Sequence, residues 1–416
     1  MPVPSGAYYG VHALRARANF PGLGGPVHPQ LIRAMAEVKR AGIRASLEEG
    51  RLDRGRAWAL DRAAAEVATG HHGESFIVDA LQGGAGTSSH LNLNEVLANR
   101  ACELLGSRPG DYRLVHPVDH AGLDQSTNDV FPTALRVAAM RLAHRVVESL
   151  AGLAAALGEK EIEFAGVLKP ARTELQAAVP VSLGREFGAF ARVTGRDRDR
   201  VAAAAGWLGR VNLGGTAVGT GLGAAPGHRR RSLAALCSLT GLPLAGVEDP
   251  VDGTQNVDAF LELSSSLKLA AADLAKIAQD LRLLSCPGFG EIELPPLQAG
   301  SSIMPGKVNP VMTEMMAQVA YQVIGADLAV TLGAQAGQLE LNAMLPLIAH
   351  NLLGALDLMA AGVEAFTDRC VRGIRADAGR CAQLLRASRD DLQATLAAAH
   401  IGYAAASRMA GSDQTV

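Results

Sequence analysis

The stretch Val257–Leu284, VDAFLELSSSLKLAAADLAKIAQDLRLL, indicates the fold class of this chain. Its apolar residues recur at steps of three and four, and its charged residues fall between them. This spacing places the apolar side chains on one face of an α-helix. The pattern predicts a helix of about seven turns. The apolar positions are Phe260, Leu263, Leu267, Ala270, Leu274, Ile277 and Leu281.

Further Ala- and Leu-rich stretches have the same periodicity, and strand patterns are nearly absent. Helices this long exceed the usual length and favour an elongated bundle in an all-α protein. Apolar positions lie on more than one face, which indicates packing on several sides, including against other subunits. The predicted helices are Pro29 to Glu49, Arg56 to Thr69, Pro132 to Leu157, Leu183 to Ala204 and Val311 to Leu332.

The segment Gly300–Pro310, GSSIMPGKVNP, contains two hydroxyls, a cation and a carboxamide between glycines and prolines. Glycine allows close backbone approach to a ligand, and proline prevents a regular helix or central strand. The result is a shaped loop that presents Ser301, Ser302, Lys307 and Asn309. These groups suit a substrate that carries carboxylates.

This loop closely resembles the motif of the aspartase/fumarase superfamily, lyases that eliminate an amine or water from a succinyl group to leave fumarate. Other segments extend the resemblance, in the same order, over nearly the whole chain. The opening GAYYGVHALR at residues 6–15 is similar to that of aspartases. The remaining segments are Gln82–Ser88, Asn94–Asn99, Gln125–Asp129 and Arg172–Gln176.

The resemblance implies an all-α homotetramer in which the central domains merge into one multi-helix bundle. Each active site would collect segments from three subunits. The implied domains are an N-terminal helical domain at residues 1–124, a central long-helix domain at 125–376 and a C-terminal domain at 377–416. By the same resemblance, the last domain is expected to be a shortened one, smaller by several tens of residues than in typical aspartases.

The resemblance also assigns roles to residues. Ser301 matches the general base, and this role requires backbone N–H groups and a nearby cation, such as Lys307, to stabilise an oxyanion. Ser and Thr residues before a helix also commonly act as caps, so capping is an alternative for Thr87, Ser126 and Thr127. The implied substrate-binding residues are Thr87, Ser126, Thr127, Asn128, Thr173, Glu174, Ser302, Lys307 and Asn309.

The chain departs from the family pattern at four positions. Glu174 stands where the family usually has His or Gln, Ala177 replaces an Asp, His90 an Asn and Ala18 a Glu. A carboxylate at 174 suits a cationic leaving group. The absence of the His on which fumarases rely to handle water counts against fumarase. The expected activity is therefore elimination of ammonia from L-aspartate. The alternatives are a lyase for an N-substituted aspartate, then a fumarase, then a homologue without catalytic activity.

Composition is consistent with a large enzyme that acts on small molecules. The formal net charge is −2 and the chain has no polybasic block, so neither nucleic acid nor an anionic membrane is an expected partner. The five scattered cysteines indicate reduced thiols and a cytoplasmic location. The N-terminus has no signal-peptide pattern, and no stretch of about twenty apolar residues is expected to span a bilayer.

Two patterns are set aside. The stretch GTGLG at residues 219–223 mimics a dinucleotide-binding motif but lacks the strand and helix that such a motif requires. The pairs His116/His120 and His71/His72 have no third ligand at suitable spacing. No cofactor and no metal are expected.

Overall fold

The computed structural model describes residues 1–388, 393 and 397–409 of the chain and is mostly helical, as predicted. The helices are α1 (Val11–Asn19), α2 (Pro29–Glu48), α3 (Arg54–Ala68), α4 (Thr87–Leu104), α5 (Thr127–Glu163), α6 (Leu183–Trp207), α7 (His228–Thr240), α8 (Asp252–Gln255), α9 (Asp258–Ser285), α10 (Val311–Gln335), α11 (Leu345–Arg369), α12 (Ala378–Ala387) and α13 (Tyr403–Met409). The strands are β1 (Leu168–Thr173), β2 (Gln176–Ser182), β3 (Arg210–Val211), β4 (Ala245–Gly246), β5 (Ile292–Glu293) and β6 (Arg375–Ala376).

Helix α9 confirms the prediction from its sequence, because all seven apolar positions identified there are buried. Helix α5 begins at Thr127, five residues before the predicted start at Pro132. Proline lacks the N–H that would bond to the carbonyl of Asn128 one turn earlier. The side-chain amide of Asn212 donates to that carbonyl instead, at 2.9 Å. The partner from another part of the chain lets the helix include the proline.

The chain divides into two compact units. The first unit contains Met1–Val146, Arg200–Lys268 and Gln322–Leu358. The second unit contains Val147–Asp199, Leu269–Tyr321 and Met359–Val416. Every change of unit falls within a long helix. The division at residues 124 and 376 that the family resemblance implies stays a prediction.

In the first unit, α2 packs against α3 and α7, and α1 packs against α4. The carboxylate of Glu95 in α4 is buried and accepts hydrogen bonds from the backbone N–H groups of Gly10, His12 and Ala13. These N–H groups lie at the start of α1, where a helix has no internal acceptors for them. Two of the family-like segments, residues 6–15 and 94–99, are thereby joined.

In the second unit, β1 and β2 form an antiparallel hairpin that the sequence analysis did not expect. Pro170 and Pro180 pair across it, and proline in a strand usually argues against sheet structure. An isolated two-stranded ribbon has two edges, so it accommodates residues that lack an N–H. Strand β1 also packs against α12, and β5 pairs with β6.

Two helical segments are more apolar than the sequence analysis expected. By length and composition alone, Val311–Gln335 and Leu345–Gly373 could each cross a membrane, which corrects the expectation that no stretch would qualify. Core helices of soluble proteins pass the same test. In the most apolar window of each segment, 44% and 61% of the residues are buried. Part of the apolar surface of each segment is thus packed within this chain.

Candidate active site

The predicted site residues are divided between the two units. Thr87, Ser126, Thr127 and Asn128 belong to the first unit, where three of them lie at the start of α5. The second unit carries Thr173, Glu174, Ser301, Ser302, Lys307 and Asn309.

The segment Gln125–Asp129 is held in place by the buried carboxylate of Asp129. This carboxylate accepts hydrogen bonds from the backbone N–H of Ser126 at 3.0 Å, of Gly214 at 3.0 Å and of Thr216 at 3.1 Å. Burial raises the pKa of Asp129 to about 6, while these N–H donors favour the ionised form. The hydroxyl of Ser126 accepts the N–H of Asn128 at 3.2 Å, so Ser126 does cap α5.

The stretch GTGLG at residues 219–223, which mimics a dinucleotide-binding motif, follows a loop that contacts the segment Gln125–Asp129. The side-chain amide of Asn128 donates to the carbonyl of Ala217 at 2.7 Å. Together with the contacts from Asn212 and Asp129, this bond fixes the loop at residues 212–217 against the start of α5. The strand that precedes this stretch, β3, has only two residues, whereas a dinucleotide-binding motif follows a full strand of a parallel sheet.

Thr87 opens α4 after a tight turn in which Gly84, Ala85 and Gly86 all have positive φ. Its hydroxyl donates to the carbonyl of Gly84 at 2.7 Å and is exposed. A Cβ atom on Gly86 would lie 2.3 Å from the ring of Phe131 in α5. Glycine is therefore required for both the backbone conformation and the close packing of this turn on α5.

Two buried titratable side chains, His90 and Lys39, contact the segment Gln125–Asp129. The imidazole Nδ1 of His90 lies 2.8 Å from the hydroxyl of Thr127. The ammonium of Lys39 donates to the side-chain carbonyl of Gln125 at 3.0 Å and to the carbonyl of Ala121 at 3.2 Å. Burial lowers the pKa of Lys39 to about 7, and burial together with Lys39 lowers the pKa of His90 well below its usual range.

In the second unit, the loop at residues 300–310 is closed at its base. The N–H of Gly300 donates to the carbonyl of Lys307 at 2.7 Å, and the side-chain amide of Asn309 donates to the carbonyl of Gly300 at 2.8 Å. A Cβ atom on Gly300 would lie 2.7 Å from the carbonyl oxygen of Lys307, so the closed base of the loop requires glycine. Ser302 and Lys307 are exposed on the loop.

The hydroxyl of Ser301 accepts two backbone hydrogen bonds. The N–H groups of Ile303 and Met304 lie 3.1 and 3.0 Å from its oxygen. Successive N–H groups that converge on one oxygen stabilise negative charge there. The arrangement is the backbone feature that an alkoxide at Ser301 requires.

Thr173 and Glu174 lie at the tip of the β1–β2 hairpin. Thr173 pairs with Gln176, so Glu174 and Leu175 form a two-residue turn, and both have positive φ. Positive φ at both central residues is the feature of a type I′ turn, whose twist matches that of the two antiparallel strands it joins. The tip is exposed in this chain.

The histidine pairs are satisfied by local contacts. The Nδ1 atom of His120 accepts the N–H of His116 at 2.8 Å, and Nε2 of His72 lies 3.0 Å from the carboxylate of Glu66.

The sequence analysis missed another group, Glu49, Asp124 and His228, whose potential metal-ligand atoms lie within 4.8 Å of one another. Glu49 already pairs with Arg231 at 3.1 Å, and Asp124 pairs with Arg51 at 3.2 Å. These two guanidinium groups compete with any metal ion for the carboxylates.

Comparison with protein families and curated proteins identifies related enzymes. A family model described as a lyase matches residues 2–325. The chain is 44% identical to the aspartate ammonia-lyase of Bacillus subtilis over 411 residues, covering 98% of this chain and 86% of that one. It is 45% identical to the aspartate ammonia-lyase of Pseudomonas aeruginosa over 377 residues, covering 89% and 80% of the two chains.

Solved structures share the fold. A structure titled fumarate lyase:delta crystallin from Brucella melitensis bound to cobalt superposes with a TM-score of 0.93 at 43% identity, covering 98% of this chain and 90% of that one. A class II fumarase from Schistosoma mansoni has a TM-score of 0.95 at 33% identity, covering 99% and 90%. The similarity thus extends over both units of this chain.

Proposed function

The chain belongs to this lyase family, within the aspartase/fumarase superfamily, and on that premise we propose that it eliminates ammonia from L-aspartate to give fumarate. It is a carbon–nitrogen lyase that resembles aspartate ammonia-lyases. The observation that best supports the proposed mechanism is the pair of N–H groups from Ile303 and Met304 on the oxygen of Ser301.

In the proposed reaction, the Ser301 alkoxide removes a proton from Cβ of the substrate. The electron pair of that C–H bond moves into the neighbouring carboxylate and forms an aci-carboxylate with two negative charges. The pair then returns to form the C=C bond, the C–N bond breaks, and the amine leaves. The barrier falls only if donors are aimed where this charge develops.

The remaining residues have proposed binding roles. Thr87, Ser126, Thr127 and Ser302 donate to the carboxylate beside the abstracted proton, and Asn128 lines the same segment. Thr173, Lys307 and Asn309 hold the other carboxylate. Because the family resemblance implies active sites that collect segments from three subunits, we propose that several subunits of a homotetramer complete each site.

Glu174 discriminates between the alternatives. Its exposed carboxylate is suited to pair with the ammonium of aspartate or with a larger amine, so a lyase for an N-substituted aspartate is the second candidate. A fumarase is less favoured, because fumarases have at this position a His that handles the leaving water, and this chain has Glu174 there.

The test is incubation of the purified protein with L-aspartate and, separately, with L-malate. Fumarate is followed by ultraviolet absorbance, and ammonia by a coupled assay. We expect fumarate and ammonia from aspartate alone. Fumarate from malate alone would indicate a fumarase. If neither substrate reacts, a panel of amines tested with fumarate in the reverse direction separates a lyase for an N-substituted aspartate from an inactive homologue.

A further inference from the structure

His90 lies one turn after Thr87 in α4 and faces the start of α5. It is 5% exposed, and its Nδ1 atom lies 2.8 Å from the hydroxyl oxygen of Thr127. The other ring nitrogen, Nε2, is buried, and none of the described residues forms a hydrogen bond with it. The ring therefore has one polar partner, and that partner is a proposed substrate-binding residue.

The two neutral tautomers of His90 have different consequences. A proton on Nε2 would leave a buried N–H group without an acceptor, which is rare in proteins. A proton on Nδ1 is donated to Thr127 and leaves only an unpaired acceptor at Nε2, which is tolerated more often. The doubly protonated ring is disfavoured by burial and by the neighbouring ammonium of Lys39, which lower the pKa of His90. The Nδ1–H tautomer is thus the favoured form.

This tautomer determines the direction of the Thr127 hydroxyl. When Nδ1–H donates to the threonine oxygen, the hydroxyl proton cannot point back to His90 and is available to another acceptor. We propose that His90 is a positioning residue that keeps the Thr127 hydroxyl as a hydrogen-bond donor to the substrate carboxylate. The inference rests on the proposed function, in which Thr127 contacts that carboxylate.

The catalytic test is a double-mutant cycle with His90→Leu and Thr127→Val. His90→Leu fills the space but cannot donate, so we expect kcat/KM for aspartate to fall about tenfold or more, the scale for weakening one oxyanion donor. In the Thr127→Val background, the same change should have less than about a twofold effect, because the hydroxyl it orients is absent. His90→Asn, which retains an N–H donor, should restore most of the rate. Equal losses in both backgrounds, or no loss from His90→Leu, would overturn the proposal.

A second measurement does not depend on activity. In protein labelled with ¹⁵N-histidine, the two neutral tautomers give different nitrogen chemical shifts, and the His90 signals are identified by their absence from His90→Asn. We expect a protonated Nδ1 and an unprotonated Nε2. A protonated Nε2 would refute the proposal even in an active enzyme. An enzyme inactive on aspartate that shows the Nδ1–H form would refute the proposed substrate and leave the tautomer established.

Discussion

The ammonium of Lys169 lies 2.8 Å from the carboxylate of Glu291, and both side chains are almost fully buried. Lys169 also lies 2.7 Å from Glu186, and Arg172 lies 2.8 Å from the second oxygen of Glu291. Lys169 and Arg172 both belong to β1. The hairpin that carries Thr173 and Glu174 is therefore fixed to the second unit by a buried ion cluster centred on Glu291.

We expect Glu291→Gln to lower the free energy of unfolding by about 3 kcal/mol, because removing one member of a buried ion cluster leaves the others uncompensated. Urea unfolding measures the change. Glu293→Gln is the matched control: Glu293 pairs with Arg375 at the surface, and exposed pairs contribute below about 1 kcal/mol. Equal effects of the two substitutions would show that the cluster does not stabilise the unit.

Ser301→Ala tests the proposed base. We expect kcat to fall about 10³-fold, within the usual range for loss of general acid–base catalysis. The free energy of unfolding should change little, because Ser301 is only half-buried on a loop. Ser285→Ala, at the end of α9, is the control and should retain full activity. A Ser301→Ala enzyme with most of its rate would disprove the assignment of the base.

The helical framework could be predicted from the sequence because its apolar periodicity is strong, as in α9. The hairpin could not, because prolines occupy both strands and its turn, Glu174 and Leu175, lacks the Gly or Asn that usually indicates positive φ. The loop at 300–310 was found through its cluster of functional groups between glycines and prolines and through its resemblance to the family motif. The roles of its residues stay predictions.

The buried charges were the main omission from the predicted site. Lys39 is spaced by four residues from Met35 and from Ile43, so it occupies an apolar position of α2, and all three are buried. A lysine at an apolar position of α2 was the sequence signal for this buried charge. Nothing local distinguishes Glu291, whose partners lie more than a hundred residues earlier in the chain. Its role depends on tertiary contacts that periodicity does not encode.

Lys39 makes stability depend on pH. Its pKa is about 7 in the folded chain and 10.5 as the reference value for an exposed lysine. Between these values the unfolded chain binds a proton that the folded chain does not, so the stability of the wild type rises with pH relative to Lys39→Met. The expected slope is at most about 1.4 kcal/mol per pH unit, and it disappears below about pH 7, where both states are protonated.

Urea unfolding of the wild type and Lys39→Met at several pH values from 7 to 10 measures this slope. Lys276→Met, at an exposed lysine, is measured alongside as the control for removal of a lysine side chain. Asp129 does not interfere, because its carboxylate is ionised over most of this range. A constant difference for Lys39→Met would mean that Lys39 keeps an ordinary pKa in the folded chain.

Helix α10 exposes Ile324, Leu328 and Leu332 on successive turns. An apolar stripe of this kind on a long helix is typical of a subunit interface. We expect the wild type to be a tetramer by light scattering, and Leu328→Glu to give smaller species, because the interface would bury an unpaired charge. If each site needs residues from several subunits, activity should fall together with the mass. Leu23→Glu is the matched control for Leu328→Glu, since Leu23 and Leu328 are each 61% exposed, and it should leave both mass and activity unchanged.

A monomeric wild type that is active on aspartate would contradict both the tetramer and the shared site.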